Sequence, residues 1–261
     1  MRSALLFDLD DTLIIEEPAA TAAFIATAQT AAARHGIDSA LLAAKARLRA
    51  RELWYSAPSH EYCMRVGISS WEGLWCRFEG EGSDVRALRD WSPTYRQETW
   101  RLALADLGVN DSQLSQELAE RFGIERRARH EVFADAAVSL SQLVGSYALA
   151  LVTNGAACLQ REKLAASGLG NYFDAVVVSA DLGVAKPDAL VFGHALSLLN
   201  VDADHAVMVG DSISKDVDGA LAAGLRAIWV NRDGCRATPN RPDLTEISTL
   251  SDLPRKLTDF C

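Results

Sequence analysis

The stretch from Ala4 to Leu13 constrains the fold more than any other part of the chain. It is an apolar run that ends abruptly in three carboxylates, Asp8, Asp10 and Asp11. Four continuous apolar residues are typical of a strand that is buried on both faces of a parallel sheet. Because an unpaired buried carboxylate is too costly, the acids must emerge at the carboxyl end of this strand, where ligands bind in open α/β sheets. A turn there can bring Asp8 and Asp10 to one cation, which indicates a metal-assisted acid site.

The rest of the chain shows two patterns of apolar residues. From Pro18 to about Arg129 they recur at helical spacing, with no convincing strand. We expect helices over Pro18–His35, Asp38–Tyr55, His60–Val66, Ser70–Phe78, Pro93–Leu107 and from Asp111 towards Arg127, with a loop over Glu79–Ser83. From Glu131 onward short apolar strands alternate with helices, which predicts a parallel sheet with right-handed crossovers.

The first strand must belong to this sheet, because an isolated strand is not stable. The sequence therefore predicts an α/β fold class, with a parallel sheet flanked by helices and an inserted all-helical domain. The α/β domain is discontinuous, over residues 1–16 and 131–261, and the helical domain covers residues 17–130.

Composition and charge exclude several classes of protein. The formal net charge of −9 argues against a large nucleic-acid-binding surface. No apolar run approaches the roughly 18 residues that a membrane span requires. We expect no signal peptide, since the first strand begins almost at once. Five cysteines without a CxxC pair indicate reduced thiols: Cys63, Cys76, Cys158, Cys235 and Cys261. We expect a cytoplasmic protein that binds neither nucleic acid nor membranes, and the sequence leaves its oligomeric state unknown.

Polar residues also follow three more of the predicted elements. They are Thr153-Asn154-Gly155 after one strand, Lys186-Pro187 in a loop after the next, and Gly210-Asp211-Ser212 after a third, with Asp216 beyond. Because carboxyl ends of parallel strands meet at one edge of a sheet, these groups should converge with Asp8 and Asp10. Such a set suits phosphate and Mg²⁺ chemistry, since carboxylates hold the cation and a lysine neutralises phosphate charge.

These motifs resemble those of the haloacid dehalogenase superfamily. The resemblance covers the whole predicted α/β domain, through Phe7-Asp8-Leu9-Asp10-Asp11-Thr12-Leu13, Thr153-Asn154-Gly155, Lys186-Pro187, and Gly210-Asp211-Ser212 with Asp216. Thr-Asn-Gly alone is more often an ordinary turn, but four motifs in the right order are specific. The resemblance implies a Rossmann-like catalytic domain, and the insertion is similar to the helical cap of that family. The run from Thr153 through Gln160 to Lys163 and Leu164 is similar to the branch with pyrimidine 5′-nucleotidases and N-acylneuraminate-9-phosphatases.

The resemblance implies a catalytic role for each of three residues. Asp8 would attack phosphorus and carry a transient aspartyl phosphate, which divides one difficult displacement into two. Asp10 would protonate the leaving oxygen and then deprotonate the attacking water. Lys186 would stabilise the negative charge on phosphorus and on Asp8.

The resemblance also implies which residues bind the substrate and the cation. Thr153 and the backbone around Asn154 and Gly155 would bind the transferring group. Mg²⁺ would be held by the carboxylates of Asp8 and Asp211 and by the backbone carbonyl of Asp10. Behind them, Asp216 would hold Lys186 or a metal-bound water, a role that Ser212 or Asp218 could share.

Asp10 bears most directly on which reaction of the superfamily to expect. Dehalogenases of this fold lack a carboxylate at that position, because displacing halide requires no acid to protonate a leaving oxygen. We therefore expect a Mg²⁺-dependent phosphomonoester hydrolase that acts on a small phosphorylated metabolite, a sugar phosphate or a nucleoside monophosphate. A sugar phosphomutase and a 2-haloacid dehalogenase remain alternatives. A non-enzymatic phosphate-binding protein would be expected to have lost one of Asp8, Asp10, Lys186 or Asp211, and all four are present.

The predicted helical domain has an unusual aromatic content. Five of the six tryptophans lie within residues 54–100, among several arginines. Most of them should pack in the interior between helices, and one or two with an arginine could contact the substrate.

Overall fold

A computed structural model describes residues 3–232, 234, 241 and 244–258 of the chain. The chain divides into two compact units, one of Met1–Ile15 with Glu131–Cys261 and the other of Glu16–His130. We call the first the α/β unit and the second the helical unit. The catalytic role expected of one and the cap role expected of the other stay predictions.

The α/β unit is built on a parallel sheet. The strands in the described part of the chain are β1 Ala4–Phe7, β2 Ile14–Ile15, β3 Glu131–Val132, β4 Ala148–Thr153, β5 Ala175–Val178, β6 Ala206–Gly210, β7 Arg226–Val230 and β8 Thr245–Ile247. Six of these described strands form the sheet, in the order β5-β4-β1-β6-β7-β8, and every neighbouring pair is parallel. β2 and β3 form a separate antiparallel pair where the chain leaves and re-enters this unit. The predicted α/β fold class is confirmed.

The helical unit contains six helices, and all of residues 16–130 are described. They are α1 Glu17–His35, α2 Ser39–Trp54, α3 His60–Val66, α4 Ser70–Gly73, α5 Ser83–Ala105 and α6 Ser112–Arg127. Asp38 caps α2 by accepting hydrogen bonds from two backbone N–H groups of the first turn, and Asp111 caps α6 in the same way through Leu114. Tryptophan packing in the interior is confirmed for Trp75 and Trp100, which are fully buried.

Helix α5 begins ten residues earlier than the sequence analysis predicted, so the predicted start at Pro93 is wrong. Pro93 lies inside the helix, where its missing N–H leaves the carbonyl of Arg89 without its usual partner. The hydroxyl of Ser92 donates to that carbonyl at 3.2 Å and replaces the lost hydrogen bond. This local substitution explains how the helix continues through a proline.

The helices of the α/β unit cover both faces of the sheet. They are α7 Ala136–Leu143, α8 Ala157–Ser167, α9 Ser179–Leu182, α10 Ala189–Leu199, α11 Asp218–Ala222 and α12 Leu253–Leu257. Strand β1 occupies the centre, and its side chains alternate between two buried clusters, with Leu5 and Phe7 in one and Ala4 and Leu6 in the other. A π-helical turn, Ile213–Val217, precedes α11 and runs directly into it.

Two further expectations can be compared with the described residues. Among the described residues, Cys63, Cys76 and Cys158 are thiols outside any disulfide bond, whereas Cys235 and Cys261 lie outside the described residues. Among the helices of the described segments, none is both long enough and apolar enough to span a bilayer.

Candidate active site

Three adjacent strands bring the predicted motifs to one edge of the sheet. Asp8 directly follows β1, Thr153 ends β4, and Asp211 directly follows β6. Since β1 lies between β4 and β6 and all three run parallel, their carboxyl ends meet at the same edge. Lys186 reaches this edge from the loop between α9 and α10. The structure therefore brings together residues that are separated by up to about 200 positions in the chain.

The ammonium group of Lys186 is the electrostatic centre of this cluster. Its Nζ donates to Asp8 Oδ1 at 2.6 Å and to the carbonyl of Val152 at 2.7 Å, and it lies 2.7 Å from Asp216 Oδ1. The contacts with Asp8 and Val152 are hydrogen bonds, and the contact with Asp216 is an ion pair. Burial lowers the pKa of Lys186, but the negative charges of Asp216 and Asp8 outweigh burial and leave this pKa raised above its ordinary value. Lys186 is therefore positively charged at neutral pH.

Asp8 lies in an environment that disfavours its negative charge. Burial raises the pKa of Asp8 well above its ordinary value; Lys186 opposes the shift, and the charges of Asp216, Asp211 and Asp10 add to it. Carboxylate oxygens of Asp8, Asp211 and Asp216 lie within 4.8 Å of one another. Such a set of oxygen donors with excess negative charge fits Mg²⁺, which prefers carboxylate oxygens and would relieve the repulsion.

The hydroxyl of Thr12 connects the two acids predicted to bind the cation. Thr12 Oγ1 donates to Asp8 Oδ2 at 3.3 Å and accepts the backbone N–H of Asp211 at 3.0 Å. On the other side, the indole N–H of Trp229 donates to the backbone carbonyl of Asp211 at 2.8 Å. Thr12 and Trp229 thus fix the backbone of Asp211 relative to Asp8. Sequence reasoning gave neither residue a role, although Thr12 lies in the first motif.

Asp216 holds Lys186, one of the two tasks that the sequence analysis considered for it. Besides its ion pair with Lys186, it accepts the backbone N–H of Ser212 at 2.9 Å, so both of its carboxylate oxygens are engaged. The Ser212 hydroxyl accepts the backbone N–H of Lys215 and caps the turn that carries Asp216. Asp218 instead forms an ion pair with Arg241.

The Thr153-Asn154-Gly155 segment supports the loop of Lys186. The side-chain amide of Asn154 accepts the backbone N–H of Lys186 at 2.9 Å and donates to its carbonyl at 3.0 Å. The backbone N–H of Gly155 donates to the hydroxyl of Ser179 at 2.9 Å. These contacts hold two loops together at the strand ends. The substrate-binding role expected of Thr153, Asn154 and Gly155 stays a prediction.

The side chain of Asp10 is held by two residues of α8. Lys163 Nζ lies 3.2 and 3.1 Å from the two carboxylate oxygens of Asp10. Gln160 Nε2 donates to Asp10 Oδ2 at 3.0 Å and to Thr153 Oγ1 at 2.6 Å. Sequence reasoning noted Gln160 and Lys163 only as part of a resemblance. Their spacing of three residues, which places both on one helix face, was the available signal.

Comparison with known proteins places this arrangement in a family. Residues 3–224 match the family model of the haloacid dehalogenase-like hydrolases. A phosphoserine phosphatase of Thermus thermophilus is 37% identical over 95% of this chain and 95% of its own length. An N-acylneuraminate-9-phosphatase of Rattus norvegicus is 28% identical over 88% of this chain and 83% of its own length. The crystal structure of a 2-haloacid dehalogenase from Pseudomonas syringae pv. Tomato has a TM-score of 0.61 and 30% identity, and the match covers all of both chains.

The chain belongs to the haloacid dehalogenase-like hydrolase family. The predicted family and the predicted enzyme class, a phosphatase of the haloacid dehalogenase type, are thereby confirmed.

Proposed function

We propose that this enzyme hydrolyses small phosphate monoesters in two displacements at Asp8, with Mg²⁺ as cofactor. The observation that carries the proposal is the position of Asp8, a buried carboxylate that forms an ion pair with Lys186. Two residues further along the chain lies a second carboxylate, Asp10, which forms a separate ion pair with Lys163. This arrangement supplies both a nucleophile and a separate acid and base.

In the first displacement, a carboxylate oxygen of Asp8 attacks phosphorus and forms a new P–O bond. The bond from phosphorus to the leaving oxygen breaks, and the protonated carboxyl of Asp10 gives its proton to that oxygen. Lys186 already contacts Asp8, so its positive charge offsets the charge that develops on the transferring group. The products of this step are the free alcohol and a phosphorylated Asp8.

In the second displacement, water attacks the phosphorus of phosphorylated Asp8 while the Asp10 carboxylate takes a proton from it. The bond between phosphorus and Asp8 then breaks, and inorganic phosphate leaves. Asp10 is protonated again at the end of the cycle, so it is ready for the next leaving group. Asp216 and Ser212 contribute by holding Lys186 and its turn in place.

The carboxylates of Asp8 and Asp211 and the backbone carbonyl of Asp10 would hold the cation. A bound Mg²⁺ would neutralise charge on the phosphoryl group and on the acids around it. Support comes from the close approach of the acid oxygens and from the burial and neighbouring acids that raise the pKa of Asp8.

Phosphate esters fit this site better than haloacids, because Asp10 is superfluous for halide release. Halide is a stable anion that leaves without a proton, whereas an alkoxide requires an acid. We therefore expect no dehalogenation of 2-chloropropionate. The relatives act on phosphoserine and N-acylneuraminate-9-phosphate, and both are phosphates of primary alcohols. We propose the same class here, which includes sugar phosphates and nucleoside 5′-monophosphates.

The test is release of inorganic phosphate from a panel of about 50 metabolites, with and without Mg²⁺, compared as kcat/KM. Asp8→Asn should abolish turnover, because the amide is a poor nucleophile, while the circular dichroism spectrum should stay unchanged. The matched control is Asp11→Asn in the same loop. Asp11 has a φ of 57°, a conformation that asparagine also tolerates, and it has no role in the proposed chemistry.

Retained turnover in Asp8→Asn would exclude Asp8 as the nucleophile. Activity that is unchanged by removing Mg²⁺ with a chelator would exclude the cation. Conversion of one sugar phosphate into its isomer without release of phosphate would favour the phosphomutase alternative.

A further inference from the structure

Helix α8 presents two buried polar side chains to the proposed acid. Gln160 and Lys163 lie three residues apart and are 1% and 0% exposed. Both contact the carboxylate of Asp10, at 3.0 to 3.2 Å, although they are about 150 residues away in the chain. A buried lysine is expensive unless it is paired, so this location needs a reason beyond filling space.

The surrounding packing is adapted to Gln160. Gly155 has a φ of 137°, and a Cβ at this position would lie 3.1 to 3.2 Å from three side-chain atoms of Gln160. Only glycine combines that backbone conformation with the space for the amide. The segment after β4 is therefore shaped to admit Gln160 beside Thr153.

Gln160 joins two functional groups through one amide. One N–H donates to Asp10 Oδ2 and the other to Thr153 Oγ1. Because Thr153 Oγ1 accepts this bond, its own hydroxyl proton can be directed to another acceptor, such as a phosphate oxygen. Lys163 contacts both oxygens of Asp10 and so restricts rotation of its carboxyl group. The pair orients the acid and the hydroxyl together.

We propose that Gln160 and Lys163 are positioning residues that hold the Asp10 carboxyl at the leaving-group oxygen and the Thr153 hydroxyl at the phosphate. The inference rests on the proposed role of Asp10. Precise placement matters because proton transfer requires hydrogen-bond distance, and small displacements of a catalytic group cost large factors in rate.

A comparison of phosphate esters with different leaving groups distinguishes positioning of Asp10 from stabilisation of the fold. Nitrophenolate leaves with little help from an acid, whereas an alkoxide needs a proton. The variant is Lys163→Met, which keeps the apolar stem and removes the charge. The matched control is Arg161→Met on the same helix, which removes an exposed ion pair with Asp181. The substrates are p-nitrophenyl phosphate and the best alkyl phosphate from the panel, compared through kcat/KM, which reports the first displacement.

Lys163→Met should lower kcat/KM by about 100-fold for the alkyl ester and by less than about 5-fold for p-nitrophenyl phosphate, given the usual contribution of an acid catalyst. Gln160→Met should show the same selectivity, and Arg161→Met should match the wild type on both esters. Adding Lys163→Met to Asp10→Asn should cause no further loss on the alkyl ester, since both changes remove one function.

Three results with Lys163→Met would overturn the inference. Equal losses on both esters would indicate a structural role, and so would a loss that adds to that of Asp10→Asn. If Lys163→Met leaves kcat/KM unchanged, Lys163 has no role in the reaction. Suppose that Asp10→Asn lowers kcat/KM much more for the alkyl ester than for p-nitrophenyl phosphate, while Lys163→Met does not. The proposed function then stands, and only the positioning role fails. If Asp10→Asn itself shows no selectivity, or the wild type releases no phosphate from any ester, the proposed function fails and the inference with it.

Discussion

Gly210 lies at the end of β6, directly beside the buried carboxylate of Asp216. A Cβ at position 210 would lie 2.7 Å from the Cβ of Asp216 and closer still to its carboxyl group. Asp216 cannot move aside at low cost, because Lys186 and the backbone N–H of Ser212 hold its two oxygens. Gly210→Ala should therefore push Asp216 away from Lys186. The backbone at position 210 is in the extended region that alanine also adopts, so the effect comes from contact alone.

The magnitude follows from two costs. Overpacking a tight interior costs about 1–3 kcal/mol. Breaking a buried ion pair costs about 3–5 kcal/mol, of which a displaced but still present Asp216 should lose only a part. We expect Gly210→Ala to lower the free energy of unfolding by about 3–4 kcal/mol. We also expect kcat to fall by at least about 10-fold, because Lys186 loses one of the groups that aim it at Asp8.

The assay is urea unfolding by circular dichroism, together with phosphate release at saturating substrate. Gly193→Ala is the control: Gly193 lies in α10, nothing lies within 4 Å of an added Cβ, and alanine should stabilise the helix by about 0.5–1 kcal/mol. Destabilisation of Gly210→Ala by less than about 1 kcal/mol with wild-type kcat would refute the argument that Asp216 is fixed in place.

Two predictions concern groups outside the candidate active site. Burial alone would raise the pKa of Asp135, but hydrogen bonds from Arg232 and Thr249 outweigh it and hold that pKa below its usual range. This stabilisation is present above the unfolded pKa of about 3.9 and disappears as the pH falls through the folded pKa. In urea unfolding, Asp135→Asn should therefore lower the free energy of unfolding by about 1–3 kcal/mol at pH 7 and by less at pH 3. An equal cost at both pH values would contradict this argument. Burial raises the pKa of Cys63 to about 12, so iodoacetamide at pH 8 should label half-buried Cys158 before Cys63 in native protein, and equal rates by peptide mass mapping would contradict this.

Strand positions and strand ends were predictable from the sequence because they depend on local patterns. Asp8, Thr153 and Asp211 each follow an apolar run, and the rule that parallel strands align their carboxyl ends predicts that they meet. The same reasoning could not predict where α5 starts. There a single hydroxyl, that of Ser92, decides whether the helix continues through Pro93, and propensity alone favours a start at the proline.

The supporting residues were beyond sequence reasoning for a different physical reason. Gln160 and Lys163 contact Asp10 because the tertiary fold brings α8 to the first motif, and a single sequence contains no distances. The indole of Trp229, in the neighbouring strand β7, donates to the Asp211 backbone carbonyl for the same reason. Local sequence therefore indicated which groups meet at the edge of the sheet, and the tertiary fold determines which groups contact them.

The balance of charge in the site is the last argument for a divalent cation. The contacts described above join four carboxylates to two buried lysines, namely Asp8, Asp10, Asp211 and Asp216 with Lys163 and Lys186. With every group ionised, this set carries an excess of two negative charges, and it still carries one when Asp10 is protonated for the first displacement. Burial makes such an excess costly, which agrees with the raised pKa of Asp8. One Mg²⁺ would cancel the excess, keep Asp8 ionised as a nucleophile at neutral pH, and allow a phosphate dianion to approach a site that would otherwise repel it.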